Sequence, residues 1–519
     1  MFDLTRQEIK NPVGLMLDPN PSDLGPQSWS DGRNIRFKNG RVSKAQGHEV
    51  AFPDLPGARE PLFAMPFLSQ AVPYWFVAAK DRIYRTEGQL WQEVTRTSNT
   101  YSAAENFPWN GGFLSGLAVL NNGYDVPQKI GPYDNNFIDL PNWPATLRTK
   151  ILRPFKNYLI ALNITKDSVQ MPTVVKWSSP ADPGEVPFTW NEADPTNDAG
   201  ENPLADTAGA IVDGKKLRDS FIIYKEDSVY SMRYVGGVYV FQFQQLYDDV
   251  GMLAPNCAAE FDGKHFVIGQ GDVYVHNGVQ KKSVIDGVMK NYLFNAIKAG
   301  GTSAVFVVPD YSNSEMWVCF QSTSGALEGG YADQAAIWNW QENTWTLRDL
   351  PQVRNGTIGV VDPQEPDQWD LDPAQWDVDA TVWGSSTYNP AKMKVVLVSA
   401  TNKKIYVIGE SSLFAGVPFK STIERTDLYD GNDQSVKHVT TVTPHITGTG
   451  VCNVFVGANM IMDSPTEWYG PYPYNIGKDF KINCRVSGRS VGFRFEFDSV
   501  GSWEFNGYTV ETTKPIGKR

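Results

Sequence analysis

Chemistry in a protein of this size usually shows first in its histidines, cysteines, serines and carboxylates. The five histidines are His48, His265, His276, His438 and His445. None stands at a metal-ligand spacing, and no His-Glu-x-x-His occurs, so each reads as a core or surface residue. Cys257, Cys319, Cys452 and Cys484 form no Cys-x-x-Cys pair and have no His neighbour. They read as four buried thiols of a protein made in a reducing cytoplasm. Gly488-Arg489-Ser490-Val491-Gly492 matches the G-x-S-x-G nucleophile elbow. The elbow needs a helix after the serine and a histidine later in the chain. Here an alternating strand pattern follows, and the last histidine is His445. Lys215, Lys264, Lys478 and Lys518 follow glycine, but none precedes Ser or Thr as a phosphate loop requires. Among 58 acidic residues no carboxylate pair stands out for glycoside hydrolysis. The sequence therefore assigns no catalytic, cofactor-binding or metal-ligating residue and no cofactor, and predicts that the chain is not an enzyme.

The elements that would position such groups are strands. Aromatic residues make up 13% of the 519 residues, and 45 Gly and 34 Pro punctuate the whole chain. Aromatics suit a pleated surface, and scattered Gly and Pro mark many short elements, so the class is all-β. From about residue 60 to 440 one pattern recurs, in which a β-branched residue precedes an aromatic and a turn follows. It appears at Ile83-Tyr84, Val229-Tyr230, Val273-Tyr274, Ile337-Trp338 and Ile405-Tyr406. Repeats of roughly 40–50 residues with four strands each are the mark of propeller blades. The reading is a β-propeller of six or seven irregular blades over 59–438, with inserted loops. Residues 1–58 read as an extended arm and a β-hairpin turning at Asn39-Gly40. Residues 439–519 read as a small C-terminal β-domain, and these two end segments together would make a platform.

Within that frame a helix is expected between Ser283 and Gly300, on an apolar stripe of Val288, Met289, Tyr292, Leu293, Ala296 and Ile297. Asn506-Gly507 reads as a further turn, and Pro444 as limiting its strand to an end or an edge. The stretch 362–384 is acidic, with Trp369, Trp376 and Trp383 at every seventh residue and Asp370, Asp372, Asp377 and Asp379 after the first two. Its only glycine, Gly384, lies past the carboxylates, so an ordered acidic loop suits it better than a Ca²⁺ loop.

The formal net charge is −12, which repels polyphosphate rather than gripping it. The first eight residues lack the apolar run of a signal peptide, and no stretch approaches the length of a membrane span. Synthesis in a cytoplasm, with no membrane span, is the expectation.

Two resemblances follow. Ser179 to Trp190 resembles the Asp-box turn of sialidase-type propellers at a longer spacing, a structural motif in any case. The opening Asp31-Gly32-Arg33-Asn34-Ile35-Arg36-Phe37-Lys38-Asn39-Gly40-Arg41-Val42-Ser43-Lys44, running to Gly47, resembles the start of the tail nozzle and packaged-DNA stabilisation proteins of short-tailed bacteriophages. Leu117-Ala118-Val119-Leu120-Asn121-Asn122-Gly123 with Pro127-Gln128 is similar to an early-blade strand and turn of that family. Val175-Lys176-Trp177-Ser178 with Asp182-Pro183 and Trp190 is similar to a stretch found there, and Gly501 to Arg519 to its closing strands.

The resemblance implies a structural virion protein of the tail. It implies a homo-oligomer, a hexameric ring below the portal and the tail adaptor protein. Tail fibres or tailspikes would be neighbours, and genomic DNA would pass through without sequence-specific binding. The chain is shorter than the longest nozzles, which puts a separate lower tip in doubt. The competing readings are a propeller glycosidase and a receptor-binding module, both acting on host surface polysaccharide.

Overall fold

The computed structural model describes residues 4–69, 72–87, 90–103, 109–237, 239–325, 330–361, 392–429, 435–461, 464–498 and 500–513. The acidic stretch 362–384 lies outside the described residues. Strands account for 54% of the structure and helix for 4%, which makes the protein all-β.

Seven antiparallel four-stranded sheets follow one another along the chain, the first six with their strands paired in sequence order. Six are continuous, over residues 63–93, 110–139, 147–203, 211–247, 258–283 and 306–353. The seventh takes three strands from 355–408 and its fourth from His48–Val50, which pairs with Lys404–Ile408. The recurring anchors Tyr84, Tyr230, Tyr274, Trp338 and Tyr406 all fall in the third strand of their sheets. Local chemistry closes the hairpins. Asn39-Gly40, Ser115-Gly116, Asp167-Ser168 and Asp262-Gly263 are two-residue connections with positive φ at both positions. That is the backbone a tight hairpin with right-handed strand twist requires.

A lone sheet of this kind leaves two apolar faces open, and here each face is covered by the next sheet. One cluster of buried side chains lies between sheets one and two (Phe67, Phe76, Trp109, Ala118). Another lies between two and three (Leu114, Trp143, Leu152, Trp190), and a third between three and four (Phe155, Ile160, Phe221, Tyr230). Sheets six and seven share Val308, Trp317, Leu397 and Tyr406. Sheet seven also packs on sheet one through Trp75, Val77, Val396 and Val398. There Trp75 Nε1 donates to the Val360 carbonyl at 2.9 Å, and the indole lies over Gly359, where an added Cβ would come within 2.4 Å of the ring.

Two larger sheets bring the chain ends together. In a six-stranded sheet, Lys437–Gly448 and Trp503–Thr513 pair along most of their length, joined by Ile482–Gly488, Leu4–Lys10, Arg41–Lys44 and Ile35–Lys38. A five-stranded sheet orders Glu467–Asn475, Val451–Asn459, Ser490–Phe497, Ser421–Leu428 and Asp31–Arg33. Between them Trp29 packs edge-on against Phe495 and Phe505, with Tyr508 alongside. Phe493, Phe495 and Phe497 are fully buried, but their strand lies inside the sheet and is buried along both faces, not half-buried as its period of two predicts.

Two further local expectations change and a third is met. Asn506-Gly507 is not a turn: it lies inside the strand Trp503–Thr513, where His445 faces Gly507 and Ile446 faces Phe505, so Asn506 is the extra residue of a bulge. Gly507 (φ +137°) is required there, because a Cβ would stand 2.0 Å from the Ile9 carbonyl. The helix shrinks to Lys290–Ala296, and Asp18 of the N-terminal arm accepts from the backbone N–H groups of Asn291 and Tyr292. A distant carboxylate thus meets the unpaired donors of its first turn. Pro444 takes the edge rather than the end of the two places expected for it. It sits past the last pairing with Ile482–Gly488, where only Trp503–Thr513 flanks it and no N–H is needed on the open side.

Candidate functional site

The most concentrated set of ionisable side chains arises on the first strands of successive sheets. Ile211–Leu217 carries a register shift between Ile211 and Asp213. Asp213, almost fully buried, takes a two-pronged ion pair from Arg153 on strand Leu147–Phe155, with Nε–Oδ1 2.9 Å and Nη2–Oδ2 2.8 Å. It also accepts from the backbone N–H of Gly214 at 2.7 Å and of Asn256 at 2.9 Å. Burial alone would raise the Asp213 pKa; the Arg153 charge and these backbone donors outweigh it, and the carboxyl ends below its ordinary value. Arg153 further donates to Asn256 Oδ1 at 2.8 Å and to the Gly111 carbonyl at 3.3 Å, so one guanidinium ties the second, third and fourth sheets to the turn that enters the fifth.

Beside this pair opens a cavity of about 220 Å³, walled by Gly112, Pro154, Lys215, Phe221, Met252 and Asn256. Glycine makes the room: a Cβ on Gly112 would meet the Pro154 ring at 2.7 Å, and one on Gly214 the Phe221 ring at 2.5 Å. Lys215 Nζ donates to the Ala258 carbonyl at 2.8 Å. The side chain is solvent-exposed, yet protein crowds around the ammonium; that desolvation, with the Arg153 charge, lowers it to about 8, while Asp213 and Glu260 act the other way. The arrangement presents cations in excess over carboxylate at a small, partly apolar hollow.

On the other side of the same strand runs a buried polar chain. His265 Nε2 lies 2.7 Å from the Lys216 carbonyl, so it carries the proton and Nδ1 accepts from Tyr224 Oη at 2.6 Å. His276 Nδ1 accepts from the Gly278 N–H, which leaves its Nε2–H to donate to Tyr224 Oη at 2.7 Å. Every polar atom of the three side chains is used in one direction. Burial lowers His265 to about 3, helped by the neighbouring His276, and lowers His276 to about 4.

The other residues singled out in the sequence lie apart. Cys257, Cys319, Cys452 and Cys484 are all buried and unpaired, and burial raises each thiol pKa. His48 is buried against Phe414 and Tyr406. His438 contacts Ser487 Oγ, and His445 contacts Thr509 Oγ1. Ser490 opens a strand, not a helix, and its buried Oγ donates to Asp427 at 3.0 Å. Ser179 to Trp190 is a loop within the third sheet, pinned by Ser179–Thr189 bonds and by Trp190 against Trp143. Lys518 lies outside the described residues. Among the described residues no group of three or more His, Cys, Asp or Glu could hold a metal ion, and no helix is long and apolar enough to cross a membrane.

Arg153, Asp213 and Asn256 were not identifiable beforehand, because they are up to 103 residues apart and follow no motif; only the fold joins them. A scan of protein-family models finds none that matches the chain, and no curated protein matches it.

Proposed function

We propose that the seven four-stranded sheets form a seven-bladed β-propeller, and that the protein is a structural subunit of the tail nozzle of a short-tailed bacteriophage. The observation that carries this reading is the joining of the two chain ends. Strands at 4–10, 31–33, 35–38, 41–44, 421–428, 437–448, 451–459, 467–475, 482–488, 490–497 and 503–513 are woven into two sheets, while the sheets between them pack face to face from the first to the seventh. That division into a terminal platform and a stack of repeated sheets is what the sequence resemblance leads one to expect. In this reading six copies surround a channel below the portal and adaptor, with tail fibres or tailspikes alongside. The net charge of −12 keeps passing DNA from adhering.

The propeller gives stiffness, since each blade is stable only against its neighbours. The platform gives contact surface: Phe480, Ile461, Met460 and Tyr469 are exposed on or beside its strands. Cryo-electron microscopy of particles containing this chain is the test. Six copies at the tail vertex are expected, and density for the chain anywhere else overturns the assignment. Turnover of capsule polysaccharide by the purified chain would instead favour a glycosidase.

A further inference from the structure

We propose that the hollow beside Arg153 and Asp213 is a binding site for a small oxyanion, a carboxylate or phosphate carried free or on a single sugar-sized ring. The inference is independent of how the chain assembles.

Three observations converge on it. First, an ammonium has three donors, and Lys215 Nζ spends one on the Ala258 carbonyl. Among the described residues no carboxylate lies within ion-pair distance of it, because Asp213 is taken up by Arg153 and two backbone N–H groups. Lys215 is solvent-exposed, so its two remaining donors are open to an anion that enters the hollow. Second, Arg153 fixes Asn256 by donating to its Oδ1. The amide orientation is thereby set, and the Nδ2 donors remain for a ligand at the same wall. Third, the space selects size. About 220 Å³ falls below the roughly 300–1,000 Å³ of drug-sized pockets. Pro154, Phe221 and Met252 supply an apolar side against which the carbon face of one ring can lie. The lowered ammonium pKa adds that occupancy should weaken as pH rises through about 8.

The test uses the full chain and three probes, glucuronate, inorganic phosphate and glucose, followed by calorimetry at neutral pH. Binding of glucuronate assigns a sugar acid, and binding of phosphate alone assigns the free ion; either supports the site. Lys215→Met should weaken the bound probe by about tenfold or more, and Lys215→Arg should retain most of the binding. Because a substitution here can disturb folding, selective acetylation of the unmodified chain gives a second readout by peptide mass spectrometry. The bound probe should slow acetylation of Lys215 and leave Lys264 and Lys478 unaffected. Failure of both anions to bind, equal binding of glucose, or unchanged acetylation of Lys215 with the probe present would overturn the proposal.

Discussion

The seven repeated sheets and the two terminal sheets are built on opposite plans. In the first region nearly every strand pairs with its neighbour in sequence, often through a two-residue turn. In the second, Leu4–Lys10 pairs with Trp503–Thr513, and Asp31–Arg33 with Ser421–Leu428. Local pairing costs little loop entropy, whereas joining the chain ends requires most of the fold to be in place first. The repeated sheets should therefore form early and independently of the terminal sheets, which form late. The local sheets still depend on one another, because their cores lie between sheets rather than within them.

Breaking that dependence should have the largest effect. Trp75→Ala opens the seam between the first and seventh sheets and is expected to cost about 3–5 kcal/mol. Hydrogen exchange should rise over 63–93 and 355–408 together; a rise confined to 63–93 would mean that the seam does not couple them. In the terminal region, Gly507→Val places a side chain against the Ile9 carbonyl and should cost about 3 kcal/mol. The increased exchange should fall on residues 4–10 and 437–448, and its spread into the repeated sheets would refute the proposed independence.

A pH titration separates the regions by a third route. His48, His265 and His276 all have folded pKa values lowered to about 3 or 4 from 6.5. The unfolded chain takes up protons below about 6.5 that the folded chain refuses. The stabilisation is complete above that pH and is lost as pH falls towards the folded values, by about 2 kcal/mol for the three together between pH 7 and 6. A denaturation midpoint unchanged over that interval would show that the histidines protonate in place. Tyr224→Phe removes the hydroxyl that serves both His265 and His276 and should cost about 1–3 kcal/mol, measured by chemical denaturation. Arg41→Ala breaks an exposed ion pair to Glu504 in the terminal region and should shift stability by less than about 1 kcal/mol; a larger shift would make that hairpin a keystone of the six-stranded sheet.

The same contrast governs what could be read from residues alone. The Asn39-Gly40 hairpin and the aromatic anchors of the third strands were readable, because their causes lie within a few residues. Asn506-Gly507 misled, since a bulge and a turn use the same residue pair and only the partner strands distinguish them. The helix was overextended because its apolar stripe continues past Ala296, while Ile297 already has extended backbone. The strand His48–Val50 reads as part of the arm, since nothing nearby says that its partner stands at residues 406–408. The oxyanion hollow was hidden for the same reason: Arg153, Asp213 and Lys215 are ordinary charges in sequence and become a site only where first strands meet.

The placement of His48–Val50 has a consequence for biosynthesis. This strand leaves the ribosome some 350 residues ahead of its mate at Lys404–Ile408, a delay of about 20–70 s at ordinary elongation rates. For that interval the nascent chain carries an orphan edge, and a chaperone or a second nascent chain could capture it. Fidelity of assembly would then rest on timing as much as on affinity.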